Sequence, residues 1–177
     1  FPFSESRYIN SHIDYETYLR ENVYYERAFI LPNNRLSNYS ESVNNGIFNF
    51  SGSKTHHVEI VISDAHNNLS SLIFKVASQP PVSIVTPDLA EKGLITMPHN
   101  RANKFRAENI TVTVPSGALY DTLLFCYKKG TGTPEMLSDV HHIHNKYTPV
   151  HKALTLSIKP TRIPAGKQSK LLIIQLS

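Results

Sequence analysis

Four of the nine histidines fall within the fourteen residues 138–151, SDVHHIHNKYTPVH. Imidazole serves both zinc ligation and proton transfer near neutral pH, so this density raises the question of a site. If residues 140–144 are extended, His142 and His144 project from one face of a strand and His141 from the other. Same-face histidines two apart can form a zinc pair, with His151 or Asp139 as a third ligand. The spacing fixes neither a third nor a fourth ligand. Asn145 and Pro149 instead mark a structured loop, where histidines anchor backbone groups, and that reading is preferred. No catalytic, cofactor-binding or metal-ligating residue is therefore assigned in this chain. A metal-dependent hydrolase using His142, His144 and His151 is the alternative, with the cluster from His141 to His151 as its site.

The remaining reactive side chains are more scattered. His56 and His57 open a strand and face opposite ways, so they cannot line one site together. Asp64 and His66 sit on an expected hairpin turn, where Asp bonds its own backbone. The fourteen acids show no pairing suited to glycosidase chemistry. No serine occupies a G-x-S-x-G elbow, and no glycine loop is built to cradle phosphate. Cys126 is the single cysteine, which excludes an internal disulfide and a C-x-x-C knuckle. Within LLFCY it reads as a small core residue. Tyr8, Tyr15, Tyr18, Tyr24 and Tyr25 crowd the N-terminal region and read as core and edge residues, with a sugar-stacking platform as the alternative.

The elements that would position these groups are mostly strands. Ser11 with Asp14 resembles an N-cap pair, and Glu16 and Arg20 stand at i,i+4, so a short helix is expected near residues 11–21. Beyond it the period changes to two. HHVEIVIS sets Val58, Ile60 and Ile62 on one face, DAHNN supplies a turn, and LSSLIFKV returns, which together predict a hairpin. Residues 77–81, ASQPP, break the pattern, because consecutive prolines cannot sit inside a ladder. A domain boundary is placed there, giving units 1–78 and 79–177. NITVTVP, ALYDTLLFCYKK, ALTLSIKP and SKLLIIQLS are strand-like in the second. The expected fold is mainly β, with two β-sandwich (Ig-like) units in tandem and one short helix near the N-terminus. Val58, Ile60, Ile62, Leu72, Phe74, Val112, Val114, Leu124, Leu154, Leu156, Ile158, Leu172 and Ile174 are the expected core.

Composition narrows the partners. The hydrophobic fraction is 40% and the charged fraction 18%, as in an ordinary folded protein. Apolar runs such as residues 171–174 are far short of the roughly 20 residues needed to cross a bilayer. A net charge of +4 is mild, and neither the group Arg101, Lys104 and Arg106 nor the pair Lys128 and Lys129 belongs to a nucleic-acid motif. No nucleic-acid partner and no membrane span are expected. The chain opens on Phe1-Pro2 without an initiator methionine, which suggests a processed product or an excerpt.

Several segments in order, SESRYINSHIDYETY, ILPNNRLSNY with NNGIFNF, HHVEIVISDAHNNLSSLIFKV, and VPSGALYDTLLF with SDVHHIHNKYTPVH, carry a resemblance. They are similar to the accessory region downstream of the catalytic domain in Bacteroidetes proteins of the M23 (LytM-like) metallopeptidase family. The resemblance runs from about Phe3 to Leu176. Members of that family are zinc endopeptidases that cleave peptidoglycan cross-links, with zinc held by an H-x-x-x-D motif and the last histidine of an H-x-H motif. Here His142-Ile143-His144 has the H-x-H spacing, but Asn145 and Lys146 replace the family's aromatic and carboxylate. No H-x-x-x-D occurs, and His12-Ile13-Asp14 has the wrong spacing.

The resemblance therefore implies a non-catalytic accessory region that positions or regulates a catalytic domain lying outside these residues. It implies no cofactor in this chain and zinc in the missing catalytic domain. It also implies a location in the periplasm or cell envelope, the protein's own peptidase domain as partner, and peptidoglycan as a further contact. A glycan-binding module is a further alternative. Proteins of this kind extend past both ends of the sequence, so the first unit is expected to lack strands supplied from upstream.

Overall fold

The computed structural model describes residues 3–79 and 93–176. The chain enters through a 3-10 turn, Phe3–Ser11, and then forms α1, Tyr15–Glu21. The helix starts at Asp14 because that carboxylate accepts the Thr17 backbone N–H at 3.1 Å. It stops at Asn22, whose φ of 54° turns the chain left-handed while its N–H still reaches the Tyr18 carbonyl. The expected cap at Ser11 is thus corrected. Ser11 is buried instead, its hydroxyl donating to the Tyr8 carbonyl at 2.9 Å and accepting from Asn34 Nδ2 at 2.7 Å. A buried hydroxyl must be paired, and here both of its roles are filled.

Strand β1, Thr55–Ser63, pairs antiparallel with β2, Leu69–Ala77, in the register Thr55↔Ala77 through Ser63↔Leu69. The hairpin is the one read from the alternation. Its turn is closed by Asp64, whose carboxylate accepts from the His66 and Asn68 backbone N–H groups at 2.8 and 2.9 Å and from Asn68 Nδ2 at 2.7 Å. At its base the His56 ring packs on Phe50. Among the described residues of 3–79, this hairpin is the only sheet.

The second half carries β3, Leu94–Met97; β4, Asn103–Ala107; β5, Ile110–Val114; β6, Leu123–Gly130; β7, Val140–Ile143; and β8, Thr155–Ile158. They form two antiparallel three-stranded sheets, β3-β6-β7 and β4-β5-β8. The strand ITVTV shows why: Ile110, Val112 and Val114 are buried and the intervening threonines are not, the period-two pattern of a half-buried strand. Both sheets contribute to one core of Met97, Ile110, Val112, Val114, Leu119 and Phe125, together with Ala118. Phe105 of β4 reaches across to Phe125 and Tyr127 of β6, with ring centroids 5.2 and 4.9 Å apart. Each such apolar side chain contributes about 1.5–3 kcal/mol on full burial.

The N-terminal segment is pinned to this core. Asn33 Nδ2 donates to the Leu119 carbonyl at 2.6 Å, and the Tyr8 ring meets Tyr120 edge-on at 6.1 Å. Gly46 holds the segment's own fold: its φ is 77°, and a Cβ there would lie 2.7 Å from the Ala28 carbonyl oxygen.

The protein is thus mainly β with one short α-helix among the described residues. Several expected core positions are corrected. Val112 and Val114 are buried, and Leu156 and Ile158 pack partly buried against the core. Ile60, Ile62, Leu72, Phe74, Leu124 and Leu154 are exposed, because nothing among the described residues covers their faces. The expected strand SKLLIIQLS is absent. A 3-10 turn, Gln168–Lys170, is followed by residues 171–176 without secondary structure, leaving Leu172 and Ile174 exposed. Of the segment where the domain boundary was placed, Pro80 and Pro81 lie outside the described residues.

Candidate functional site

The histidine stretch begins on β7, held against β6 by the pairs Lys129↔His141, Lys128↔His142 and Tyr127↔Ile143. His141 faces Tyr127, whose hydroxyl lies 2.9 Å from Nδ1. Burial pushes the His141 imidazole below the ordinary histidine range, against the opposing pull of Asp139. His142 is exposed and lies over Gly130, where an added Cβ would come within 3.1 Å of its Nε2.

The strand ends before His144. That residue has a φ of 51°, so the alternation expected to set it beside His142 fails at this position. Its backbone N–H bonds the Cys126 carbonyl at 2.8 Å, and its ring turns onto the Cys126 side chain, with Nδ1 3.5 Å from Sγ. The next residue engages the other ring nitrogen. Asn145 Oδ1 accepts from the Tyr147 N–H at 2.8 Å, the Thr148 N–H at 3.0 Å and the Thr148 hydroxyl at 3.2 Å. Its amide group therefore faces His144 Nε2 at 3.3 Å as a donor. Nδ1 is approached in turn by the Cys126 backbone N–H at 3.4 Å and by its Sγ at 3.5 Å. Burial lowers the His144 pKa, with Glu16 of α1 pulling the other way.

His151 lies elsewhere. It stacks on Tyr120 at 4.8 Å and leans on Tyr8 at 5.6 Å, tying the N-terminal segment to the β core. Asp139, the other suggested ligand, is engaged by Lys129 Nζ at 2.9 Å. Among the described residues, no group of three or more His, Cys, Asp and Glu side chains is placed to hold a metal. His142, His144 and His151 thus serve three separate environments.

Cys126 is corrected from a core residue to a half-buried one. Phe125 and Tyr127 point into the core, so alternation along LLFCY sends Cys126 to the opposite face. That signal was present in the sequence; its partner was not, because the contact depends on the left-handed turn at His144. Sγ and the imidazole thus meet on the face turned away from the core.

Two further features adjoin it. A small cleft of about 170 Å³ lies between Ile13, Asp14, Tyr15, Glu16 and Arg27 on one side and Tyr147, Thr148 and Pro149 on the other. It is below the roughly 300–1,000 Å³ of a typical small-molecule pocket. The N-terminal tyrosines also depart from the core reading. Tyr18 and Tyr24 stack at 4.3 Å, Tyr15 lies 6.3 Å from Tyr18, and Tyr15, Tyr24 and Tyr25 are exposed.

The family model of the Zu5-like domain matches residues 95–177, a little under half of the chain. The match begins in β3 and takes in the two-sheet core and everything after it. No curated protein and no solved structure matches this chain. No helix among the described residues is long and apolar enough to cross a membrane.

Proposed function

We propose that this chain is a non-catalytic accessory region of a cell-envelope M23-type zinc endopeptidase, positioning or regulating a peptidase domain outside these residues. The observation that carries the reading is the use made of the histidines. His141 is spent on Tyr127, His144 on Cys126 and His151 on the Tyr8–Tyr120 contact, so three of the four histidines in this stretch serve internal contacts, with His142 exposed and apart from them. The sequence resemblance supplies the parent enzyme, the periplasmic or envelope setting and the zinc, which belongs to the peptidase domain. In this reading residues 93–176 are a β-sandwich (Ig-like) unit, and the β1–β2 hairpin is the nucleus of a second. The test joins this chain to the peptidase domain and compares cross-link cleavage, melting temperature and sacculus binding with the peptidase domain alone. A change in at least one is expected; identical behaviour in all three would reject the reading.

The exposed tyrosines favour a second reading, a glycan-binding module. Solvent-facing rings offer apolar faces to sugars, and the exposed Tyr24 is held in place by stacking on the half-buried Tyr18. Retention of the chain on insoluble peptidoglycan, abolished in Tyr24→Ala, would establish it. Free flow-through would end it.

A further inference from the structure

Among the described residues, two parts lack a partner strand, and each has the form the other requires. Within that set the β1–β2 hairpin is a two-stranded sheet with both outer edges unpaired. Such a hairpin is marginal in water on its own, and an open edge is a template for another strand. One of its faces carries Val58, Ile60 and Ile62 from β1 and Leu72, Phe74 and Val76 from β2; Ile62 is 66% and Leu72 61% exposed. The complement is the segment 171–176, LLIIQL, rich in β-forming side chains. Leu172 is 87% and Ile174 76% exposed, and no backbone hydrogen bond joins residues 171–176 to the hairpin of the same chain.

Charge selects a direction for the missing strand. Antiparallel addition to β1 brings Lys167 and Lys170, which precede the apolar segment, to the hairpin end that carries Asp64. Alternation then sets Leu172, Ile174 and Leu176 on a single face, where they extend the apolar stripe of β1.

We propose that residues 171–176 of one copy add as a third strand to the β1 edge of a second copy, and that the exchange is reciprocal. Each chain holds one donor and one acceptor, so two exchanges close a two-fold dimer with neither element left over. This self-association goes beyond the peptidase reading and does not rest on it.

The test is sedimentation analysis of the full chain over a concentration series. Two variants accompany it: Leu172→Glu with Ile174→Glu, which disables the donor, and Ile60→Glu with Leu72→Glu, which disables the acceptor. All four positions are exposed, so the near-ultraviolet signal of the two-sheet core serves as a folding control that should not change. The wild type is expected to dimerise and each variant to associate at least tenfold more weakly. An equimolar mixture of the two variants keeps one good donor and one good acceptor and is expected to recover a heterodimer. A monomeric wild type at every concentration overturns the proposal, including one whose tail is protected by its own hairpin. So does a donor variant that dimerises like wild type, which would mean hairpin-on-hairpin pairing, or a mixture that fails to associate.

Discussion

His144 and His141 set a pH dependence that belongs to single residues. Burial holds both imidazoles below the ordinary histidine value, to which they return on unfolding. As pH falls the unfolded chain therefore takes up protons first. The stability these neutral rings contribute is complete above about pH 6.5 and is lost as pH drops through their depressed folded values. Urea midpoints should accordingly be lower near pH 5 than near pH 7, with part of that slope removed in His144→Asn. Asparagine suits the left-handed backbone there and does not titrate. An unchanged slope in that variant would show that His144 is not the source. At this scale the sequence was a partial guide. The density of histidines was plain and the Asp64 turn was read correctly, but the separation of His142 from His144 hangs on one positive φ that no alternation pattern announces.

At the level of elements, capping and covering decide what each segment contributes. Asp14→Ala removes the bond to Thr17 and should cost about 1 kcal/mol in helix stability, read as lost helical signal or a lower urea midpoint. Ser11→Ala acts differently: it leaves Asn34 Nδ2 short of a buried partner, an expected loss of about 1–3 kcal/mol. Ile110 and Ile62 make a sharper pair. Both sit on alternating strands, yet Ile110→Ala should cost about 2–5 kcal/mol and Ile62→Ala within about 0.5 kcal/mol in the monomer, by chemical denaturation. The sequence placed Ile62 in the expected core and did not name Ile110; alternation tells which side chains share a face. It does not tell what lies over that face. The same reason accounts for Leu124 and Leu154, which alternate correctly but look outward. The hairpin turn adds a titration of its own. Its hydrogen bonds from Asn68 and His66 hold the Asp64 carboxyl below the usual range, so the turn's stability is present above that range and lost as pH falls through the lowered value. Amide protection at Asn68 should fade at low pH, and should be weak at every pH in Asp64→Ala.

Across the whole molecule the mainly β character and the single short helix could be read from periodicity. The arrangement could not, since two of the sheets meet through contacts far apart in sequence, such as Phe105 with Phe125 and Tyr127. The match to the Zu5-like domain covers that two-sheet core. The N-terminal segment lies outside the match and is fastened to the core by Asn33, Tyr8 and His151. Its attachment relies on a part-buried side-chain amide bond and on the mutual contacts of three rings, features whose partners are set by tertiary geometry alone.

The uncovered tail has a consequence for the unassembled chain. Six residues of high β propensity, without charge or proline, match the makeup of segments that stack into fibrils. Lys167 and Lys170, immediately upstream, are the nearest charges and act as gatekeepers by mutual repulsion between stacked copies. Replacing both with glutamine should shorten the lag of thioflavin-positive fibre growth, while leaving the folded core untouched. On this account two lysines, whose backbone N–H groups bond only the nearby Pro164 and Lys167 carbonyls, guard the segment against stacking.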